Sequence, residues 1–202
     1  MSAINILEKF GDAYAATERT FRLGIDIRIS RRIAQRFRGR SVLETCTGGG
    51  FTTIALAEAG ASVVTIEIDP EHLSQARTNV TRAQLEHKVR FVEGDALSDD
   101  LLSEFQNIDA AFLDPDWAVT GPNHIFRFRQ SNMRPPADAL LQKLLGKTDN
   151  VALILPPNID LSEIEGLPAH ELQRISLNGA HALYCVYFGA LVESHGETEL
   201  HA

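Results

Sequence analysis

The feature that most constrains the fold is an apolar run that ends in an acid and a glycine cluster before a helical segment, in the sequence VLETCTGGGFTTIALAEAG. The run predicts a buried strand, the glycines predict a tight turn, and the residues from about Phe51 onward predict a helix. Short apolar runs continue to alternate with helical stretches as far as NVALILPP. Such alternation predicts a mostly parallel sheet with helices on both faces.

The end of the chain follows a different pattern. The segments ELQRISL and ALYCVYFGALVE are separated only by NGAH, which predicts an antiparallel hairpin at one edge of the sheet. With this hairpin the predicted strands number seven. We therefore predict an α/β fold with a seven-stranded, Rossmann-like sheet, in which a ligand lies at the carboxyl ends of the parallel strands.

The residues before the first strand are basic and helical in pattern. Residues 4–20 predict one helix, and SRRIAQRFRG predicts a second with Ser30 as its N-cap. Residues 1–40 carry nine Lys and Arg against four Asp and Glu, whereas the rest of the chain carries ten against 23. We predict a basic helical extension over 1–40 and a single domain over 41–202. The asymmetry indicates either an arm that faces nucleic acid or a basic helix solvated on one side.

The cellular location is predicted from what the sequence lacks. No apolar run approaches the roughly 18 residues that would span a bilayer, and the start has no basic-then-apolar secretory layout. Cys46 and Cys185 fit neither a disulfide framework nor a metal-ligand spacing. We expect a cytoplasmic protein with no membrane association and no metal.

Acids close three successive predicted strands. Glu44 ends the first, Glu67 ends the second at 17 residues beyond Gly50, and Asp95 ends the third. A carboxylate at Glu67 is placed to accept hydrogen bonds from ribose hydroxyls, and Asp95 from an adenine amino group, with the Ala96 N–H beside it. A dinucleotide site would prefer G-x-G-x-x-G, and Thr53 takes the place of its third glycine.

This segment resembles the E/D-x-G-x-G-x-G loop of class I S-adenosylmethionine-dependent methyltransferases, with Cys46 where the first glycine usually stands. The seven strands and the terminal hairpin are similar to that class too. The resemblance implies S-adenosylmethionine as the cofactor. The cofactor-binding residues that it implies are Glu44, Cys46, Thr47, Gly48, Gly50, Glu67, Ile68, Asp95, Ala96 and Asp114.

The sequence DPDW, Asp114 to Trp117, closes the fourth predicted strand. It resembles the [D/N/S]-P-P-[Y/F/W] motif of methyltransferases that act on exocyclic amino groups of bases, with Asp116 in place of the second proline. The resemblance implies catalytic roles for Asp114, Pro115 and Trp117, with Trp117 as a stacking platform. Two other interpretations stay open, namely that Trp117 is a partly buried packing residue and that Asp114 and Asp116 bind a metal.

A wider resemblance, over about residues 21–160, is to the RNA cap guanine-N2 methyltransferases, the trimethylguanosine synthases. It rests on GIDIRIS, DPDWAVTGPNH, FRFRQSNM, ADALLQKLL and LILPPN. The substrate-binding residues that it implies are Trp117, His124, Asn158 and Arg28, although His124 stands where the family has an aromatic residue.

The sequence thus predicts methyl transfer from S-adenosylmethionine to an exocyclic amine, with guanine N2 of an RNA as the favoured acceptor and an RNA or nucleotide as the partner. Two alternatives remain. One is a methyltransferase for a small amine or a free nucleoside, and the other is a catalytically silent cofactor-binding subunit. The oligomeric state is not predicted.

Overall fold

The structure is a computed structural model that describes residues 9–117 and 125–202. It divides into two compact units, Met1–Asp95 and Ala96–Ala202. Each unit carries its own strands and helices. The predicted boundary between an extension and a domain at residue 40 stays a prediction.

The first unit contains three parallel strands, β1 (Ser41–Thr45), β2 (Ser62–Glu67) and β3 (Val89–Glu93). The strand β2 lies between the other two and pairs with both. Because the three strands are parallel, their carboxyl ends lie at one edge. The glycine loop after β1, Glu67 at the end of β2 and Asp95 after β3 therefore belong to the same edge of this unit.

Four helices lie wholly within the described residues of this unit: α1 (Glu18–Leu23), α2 (Ile27–Ala34), α3 (Phe51–Glu58) and α4 (Pro70–Arg82). Short 3₁₀ turns occupy Gln35–Phe37 and Glu86–Lys88. In α3 every residue from Phe51 to Ala57 is buried, as expected for a helix that is apolar on all sides. In α4, Pro70 stands in the first turn behind the N-cap Asp69.

Two predictions for the basic segment are wrong. Within the described part of residues 4–20, residues 9 and 10 are helical, but the helix does not continue: Gly11 has φ +69°, and α1 is a separate helix that begins at Glu18 with Thr17 as its N-cap. The second helix begins at Ile27, and Asp26 caps it by accepting from the Arg28 N–H. Ser30 is buried inside the helix and its hydroxyl bonds the Thr52 hydroxyl at 3.2 Å. Both Asp and Ser favour N-caps, so the local sequence does not choose between them.

The second unit contains β4 (Ala110–Leu113), β5 (Val151–Leu155), β6 (His170–Leu177), β7 (Ala180–Phe188) and β8 (Gly196–His201). Its helices are α5 (Asp99–Ser103) and α6 (Ala137–Leu145), with 3₁₀ turns at Leu161–Glu163 and Gly189–Leu191. The strands β4 and β5 are parallel, β7 is antiparallel to β5 and β6, and β8 is parallel to β6.

The predicted hairpin is confirmed as β6 and β7, joined at Asn178 and Gly179 with φ +50° and +79°. Positive φ at both turn residues is what a two-residue hairpin needs. The predicted count of seven strands is wrong, because the described residues contain eight. The additional strand is β8, whose sequence GETELH is polar and which pairs with β6 on one side. A polar strand of this kind has no apolar pattern by which to predict it.

Among the described residues, none of the helices has the length and hydropathy that crossing a membrane requires. In the same part of the chain, no three His, Cys, Asp or Glu side chains are grouped so that they could hold a metal ion.

Candidate active site

In the first unit, the loop after β1 turns back through three residues with left-handed backbone. Cys46, Gly48 and Gly50 have φ +63°, +52° and +77°. The loop is tied to β2, because the N–H groups of Cys46 and Thr47 both donate to the Ile66 carbonyl, at 2.9 and 3.4 Å. The hydroxyls of Thr47 and Thr65 share a further bond of 2.5 Å. The loop is therefore a fixed part of the strand edge.

Two of the glycines serve different purposes. A Cβ at Gly50 would lie 3.0 Å from the backbone of Ala76, so this glycine lets the start of α3 approach α4 closely. A Cβ at Gly48 would meet nothing within 4 Å. The space over Gly48 is therefore open, and its backbone is accessible to a ligand, as the predicted cofactor loop requires.

Glu67 lies at the end of β2 and is 7% exposed. Its Oε2 accepts from the Gly48 N–H at 2.9 Å, and its Oε1 accepts from the N–H groups of Ile68 and Asp69 at 2.9 and 3.0 Å. A carboxylate offers about four acceptor positions, so about one remains for a ligand. The residue is preorganised to accept from one more donor, and its contact with the ribose of a cofactor stays a prediction.

Ile68 follows Glu67 and is one of the few large apolar side chains exposed to solvent in the described residues, at 66%. An exposed apolar side chain beside a fixed carboxylate suits a flat ring such as adenine. Asp95 is exposed and Ala96, the first residue of the second unit, is buried. The cofactor contacts of all three residues stay predictions.

Glu44 differs from Glu67 because its side chain is enclosed by the protein. It is 2% exposed, and its Oε2 accepts from the Thr53 hydroxyl at 2.5 Å. Burial raises the pKa of the Glu44 carboxyl to about 7, against the opposing effect of hydrogen bonds from Thr53 and Thr65. The structure thus gives Glu44 partners beneath the loop, and its contact with the cofactor remains a prediction.

Asn79, a buried residue of α4, was not predicted from the sequence. Its Nδ2 donates to the Gly49 carbonyl at 2.9 Å and to the Ala15 carbonyl at 3.0 Å, while its Oδ1 accepts from the Ala15 N–H at 2.7 Å. An Asn inside a helical pattern carries no local sign of such contacts. Asn79 joins the N-terminal segment to the glycine loop.

An aromatic cluster makes a second connection between the same two segments. It consists of Phe10, Phe21 and Phe51, with Tyr14 against it. The ring of Phe51, the first residue of α3, lies 4.1 Å from that of Phe10 and 5.5 Å from that of Phe21, centroid to centroid. Residues 10–21 therefore pack directly beside the glycine loop.

Arg28, a predicted substrate-binding residue, is paired inside its own unit. Its guanidinium donates to both oxygens of Asp26, at 3.0 and 2.9 Å, and Asp26 is 5% exposed. Arg31 pairs with Glu58 at 3.1 Å, whereas the side chains of Arg32 and Arg38 are exposed. The basic segment does present arginines to solvent, and the role of Arg28 toward a substrate stays a prediction.

In the second unit, the DPDW loop follows β4 and Asn158 follows β5. Since β4 and β5 are parallel neighbours, both loops lie at one edge of this unit. Asn158 is exposed, and its carbonyl accepts from the Phe126 N–H at 3.1 Å. His124 lies outside the described residues.

The acid in place of the second proline has a partner. The N–H of Asp116 donates to the Arg134 carbonyl and the Arg134 N–H donates back, both at 2.9 Å. The Arg134 Nη2 also donates to the Asp116 Oδ2 at 2.7 Å. Proline has no N–H to donate. The departure from the motif therefore fixes the loop to the segment before α6.

Trp117 is half-buried, as is Asp114, and Pro115 between them is buried. Two atoms of this loop, the Trp117 Nε1 and the Asp116 Oδ1, are buried and have no hydrogen-bond partner among the described residues. The burial of Nε1 turns one edge of the indole inward, and part of the side chain stays accessible.

Comparison with known proteins places these features in a family. A model of the family described as RNA cap guanine-N2 methyltransferase matches residues 39–191. Catechol O-methyltransferase from Mycobacterium tuberculosis is 39% identical over 89 residues, covering 42% of the chain and 40% of that protein. A second Catechol O-methyltransferase, from Niastella koreensis, is 32% identical over 92 residues, 42% of the chain and 41% of that protein. The matches thus span well under half the length of these relatives.

Solved structures show the same fold. A candidate methyltransferase from Porphyromonas gingivalis superposes with a TM-score of 0.72 at 21% identity, covering 92% of the chain and 45% of that protein. M. capricolum TrmK, solved with the cofactor product S-adenosyl-homocysteine, gives a TM-score of 0.56 at 12% identity, covering 83% of the chain and 69% of TrmK. The predicted Rossmann-like α/β methyltransferase fold is confirmed, with eight strands.

Proposed function

Since the chain belongs to the RNA cap guanine-N2 methyltransferase family, we propose that it methylates an exocyclic amine, with guanine N2 of an RNA as the acceptor. The protein is an S-adenosylmethionine-dependent methyltransferase, and S-adenosylmethionine is its cofactor. The identity of the acceptor atom and of the acceptor molecule belongs to the proposal.

S-adenosylmethionine supplies an electrophilic methyl group on a positively charged sulfur. In the proposal, Glu67 accepts a hydrogen bond from a ribose hydroxyl with its remaining acceptor position. Ile68 packs against the adenine, and the open backbone at Gly48 lies against the methionine part. Three backbone N–H groups already hold the Glu67 carboxylate, so little ordering remains when the cofactor binds.

An exocyclic amine of a base is a weak nucleophile because its lone pair is delocalised into the ring. In the proposal, Asp114 and the Pro115 carbonyl accept its two N–H bonds and so localise the lone pair toward the methyl group. Trp117 stacks on the base, which is worth about 1–3 kcal/mol. Orientation of the amine supplies much of the remaining rate enhancement.

The observation that carries the proposal is the anchored DPDW loop at the end of β4. Asp116 and Arg134 hold it through two backbone hydrogen bonds and an ion pair. A loop fixed on both sides of Asp116 keeps Asp114 and Trp117 in defined positions, and positioning is the main contribution that a protein makes to this reaction. In the proposal, exposed arginines such as Arg32 and Arg38 attract RNA phosphates.

A small-molecule acceptor is the second candidate. It is favoured by the match to Catechol O-methyltransferase, which is 39% identical over 42% of the chain, and by the net charge of −8. The glycine loop would act in the same way for both candidates. The two differ only in what lies against Trp117.

The test is incubation with radiolabelled S-adenosylmethionine and either total RNA or a small-molecule extract, followed by nucleoside analysis. We expect label in N2-methylguanosine from RNA and its loss in Asp114→Ala with near-normal cofactor affinity. We also expect Trp117→Phe to retain measurable turnover and Trp117→Leu to lose far more, once equal thermal unfolding of the variants is established. Label confined to small molecules would contradict the RNA acceptor.

A further inference from the structure

The Asp116 carboxylate has one satisfied oxygen and one unsatisfied oxygen. Oδ2 accepts from the Arg134 Nη2 at 2.7 Å, whereas Oδ1 is buried with no partner among the described residues. A buried acceptor without a partner is destabilising, and native proteins keep few of them. A ligand that donates a hydrogen to Oδ1 would relieve this cost.

The orientation of the carboxylate is fixed by the protein. Arg134 is 67% exposed and holds Oδ2, while the Asp116 side chain as a whole is only 26% exposed. The backbone of Asp116 is held as well, by two hydrogen bonds with Arg134. The position of Oδ1 is therefore fixed by the protein, as a selective acceptor requires.

Asp116 is two residues beyond Asp114, so their Cα atoms lie within about 7 Å of one another. The edge of guanine carries two neighbouring donors, the N2 amine and the N–H at ring position 1. Adenine carries a lone pair at ring position 1, and a carboxylate repels it. Asp114 on the amine and Asp116 on the ring N–H would therefore match the two donors of guanine. The same pair of acids would repel the lone pair of adenine.

We propose that the Asp116 Oδ1 accepts the ring N–H of guanine beside the amine that is methylated, and that Asp116 thereby selects guanine over other purines. The inference rests on the proposed function, because it needs a base at Trp117. The family motif has a proline in this place, so the selectivity would be a property of this chain. Arg134 is a positioning residue in this arrangement.

The test compares guanosine with 2,6-diaminopurine riboside by equilibrium dialysis, at saturating S-adenosylhomocysteine. Both nucleosides carry the 2-amine, but the second has a lone pair in place of the ring N–H. We expect the wild type to bind guanosine about 10- to 100-fold more tightly, the range for a hydrogen bond to a charged group. In Asp116→Ala the two affinities should agree within about threefold, because no carboxylate remains to distinguish them.

Asp116→Asn gives a sharper result. Arg134 should donate to the oxygen of the new amide, so that the amide NH₂ occupies the place of Oδ1 and points to the ligand. This group opposes the guanine N–H and suits the lone pair, so the preference should shift toward 2,6-diaminopurine riboside. A loss of stability alone would not reverse a preference, and the ratio within one variant does not depend on its active fraction.

Asp99→Ala is the matched control, since Asp99 forms an exposed ion pair with Lys143 in the same unit. It should keep the wild-type ratio. An unchanged ratio in Asp116→Ala would overturn the inference, and so would equal affinity, or no affinity, for the two nucleosides in the wild type. A wild type that forms N2-methylguanosine in RNA but does not distinguish the nucleosides would overturn this inference and leave the proposed function standing.

Discussion

Substitution of Asn79 by alanine should disconnect the N-terminal segment from the glycine loop. The side chain is 1% exposed and makes three hydrogen bonds, two with the backbone of Ala15 and one with the Gly49 carbonyl. Alanine makes none of them. The Gly49 carbonyl bond is buried, so its loss leaves an acceptor without a partner.

The magnitude follows from the number of bonds. Each contributes about 0.5–1.5 kcal/mol net, so loss of the three should lower the free energy of unfolding by about 1.5–4.5 kcal/mol. The matched control is Thr78→Ala, because Thr78 is adjacent in α4 and its exposed hydroxyl donates to the Ser74 carbonyl of the same helix. This control should change the free energy of unfolding by less than about 0.5 kcal/mol.

The assays are urea unfolding and calorimetric titration with S-adenosylhomocysteine. Since Asn79 holds the carbonyl of Gly49, between the two left-handed glycines, Asn79→Ala should also weaken cofactor-product binding, while Thr78→Ala should not. If the two variants unfold at the same urea concentration and bind equally well, the connection has no energetic role and the reasoning is refuted.

Three further variants test the loop and its acids. Glu67→Gln should weaken S-adenosylhomocysteine binding in calorimetry by about tenfold or more, because charge-assisted bonds are worth about 1.5–3 kcal/mol each; unchanged affinity would remove Glu67 from the site. The pKa of Glu44 is raised to about 7 in the folded state, so its protonated form favours folding at low pH, and this stability is lost as the pH rises through 7. The free energy of unfolding of the wild type, measured relative to that of Glu44→Gln in denaturant, should therefore fall by about 3 kcal/mol from pH 4.5 to 8. A difference between the two proteins that does not change with pH would contradict this prediction. The free energy of unfolding should be about 1–2 kcal/mol lower for Cys46→Val than for Cys46→Gly, because φ at Cys46 is +63° and a β-branched residue is strained there. Equal free energies of unfolding in urea would mean that the backbone adapts.

The elements that the sequence predicts correctly are those whose signal is local. The strand β5 is an unbroken apolar run, Val151–Leu155, and every residue of it is buried. The hairpin of β6 and β7 has Asn178 and Gly179 at its turn, and both residue types tolerate positive φ. The residues of β8 are polar, and their exposure alternates only partly along the strand. Its extended conformation therefore depends on pairing with β6, which is a tertiary contact.

The site residues that the sequence analysis missed depend on distant partners. Asn79 contacts Gly49 and Ala15, which are 30 and 64 residues away. Arg134 is 18 residues beyond Asp116, the acid that it orients. No spacing rule connects such positions, whereas the prediction for Glu67 needs only its place at a strand end. The sequence predicts where a site lies, and the fold adds the residues that hold the site rigid.

The two glycine motifs considered for the loop after β1 differ in whether they need a glycine at the place of Thr53. A dinucleotide fold needs its third glycine so that helix and strand can pack closely around a pyrophosphate site. Here Thr53 takes that place, and its hydroxyl donates to Glu44 at 2.5 Å in a fully buried position. The interior behind the loop is thus filled by a hydrogen-bonded acid and a threonine. Gly48 has open space beside it, so a ligand can approach the backbone of the loop at this residue. One open position suits a compact ligand group better than a diphosphate.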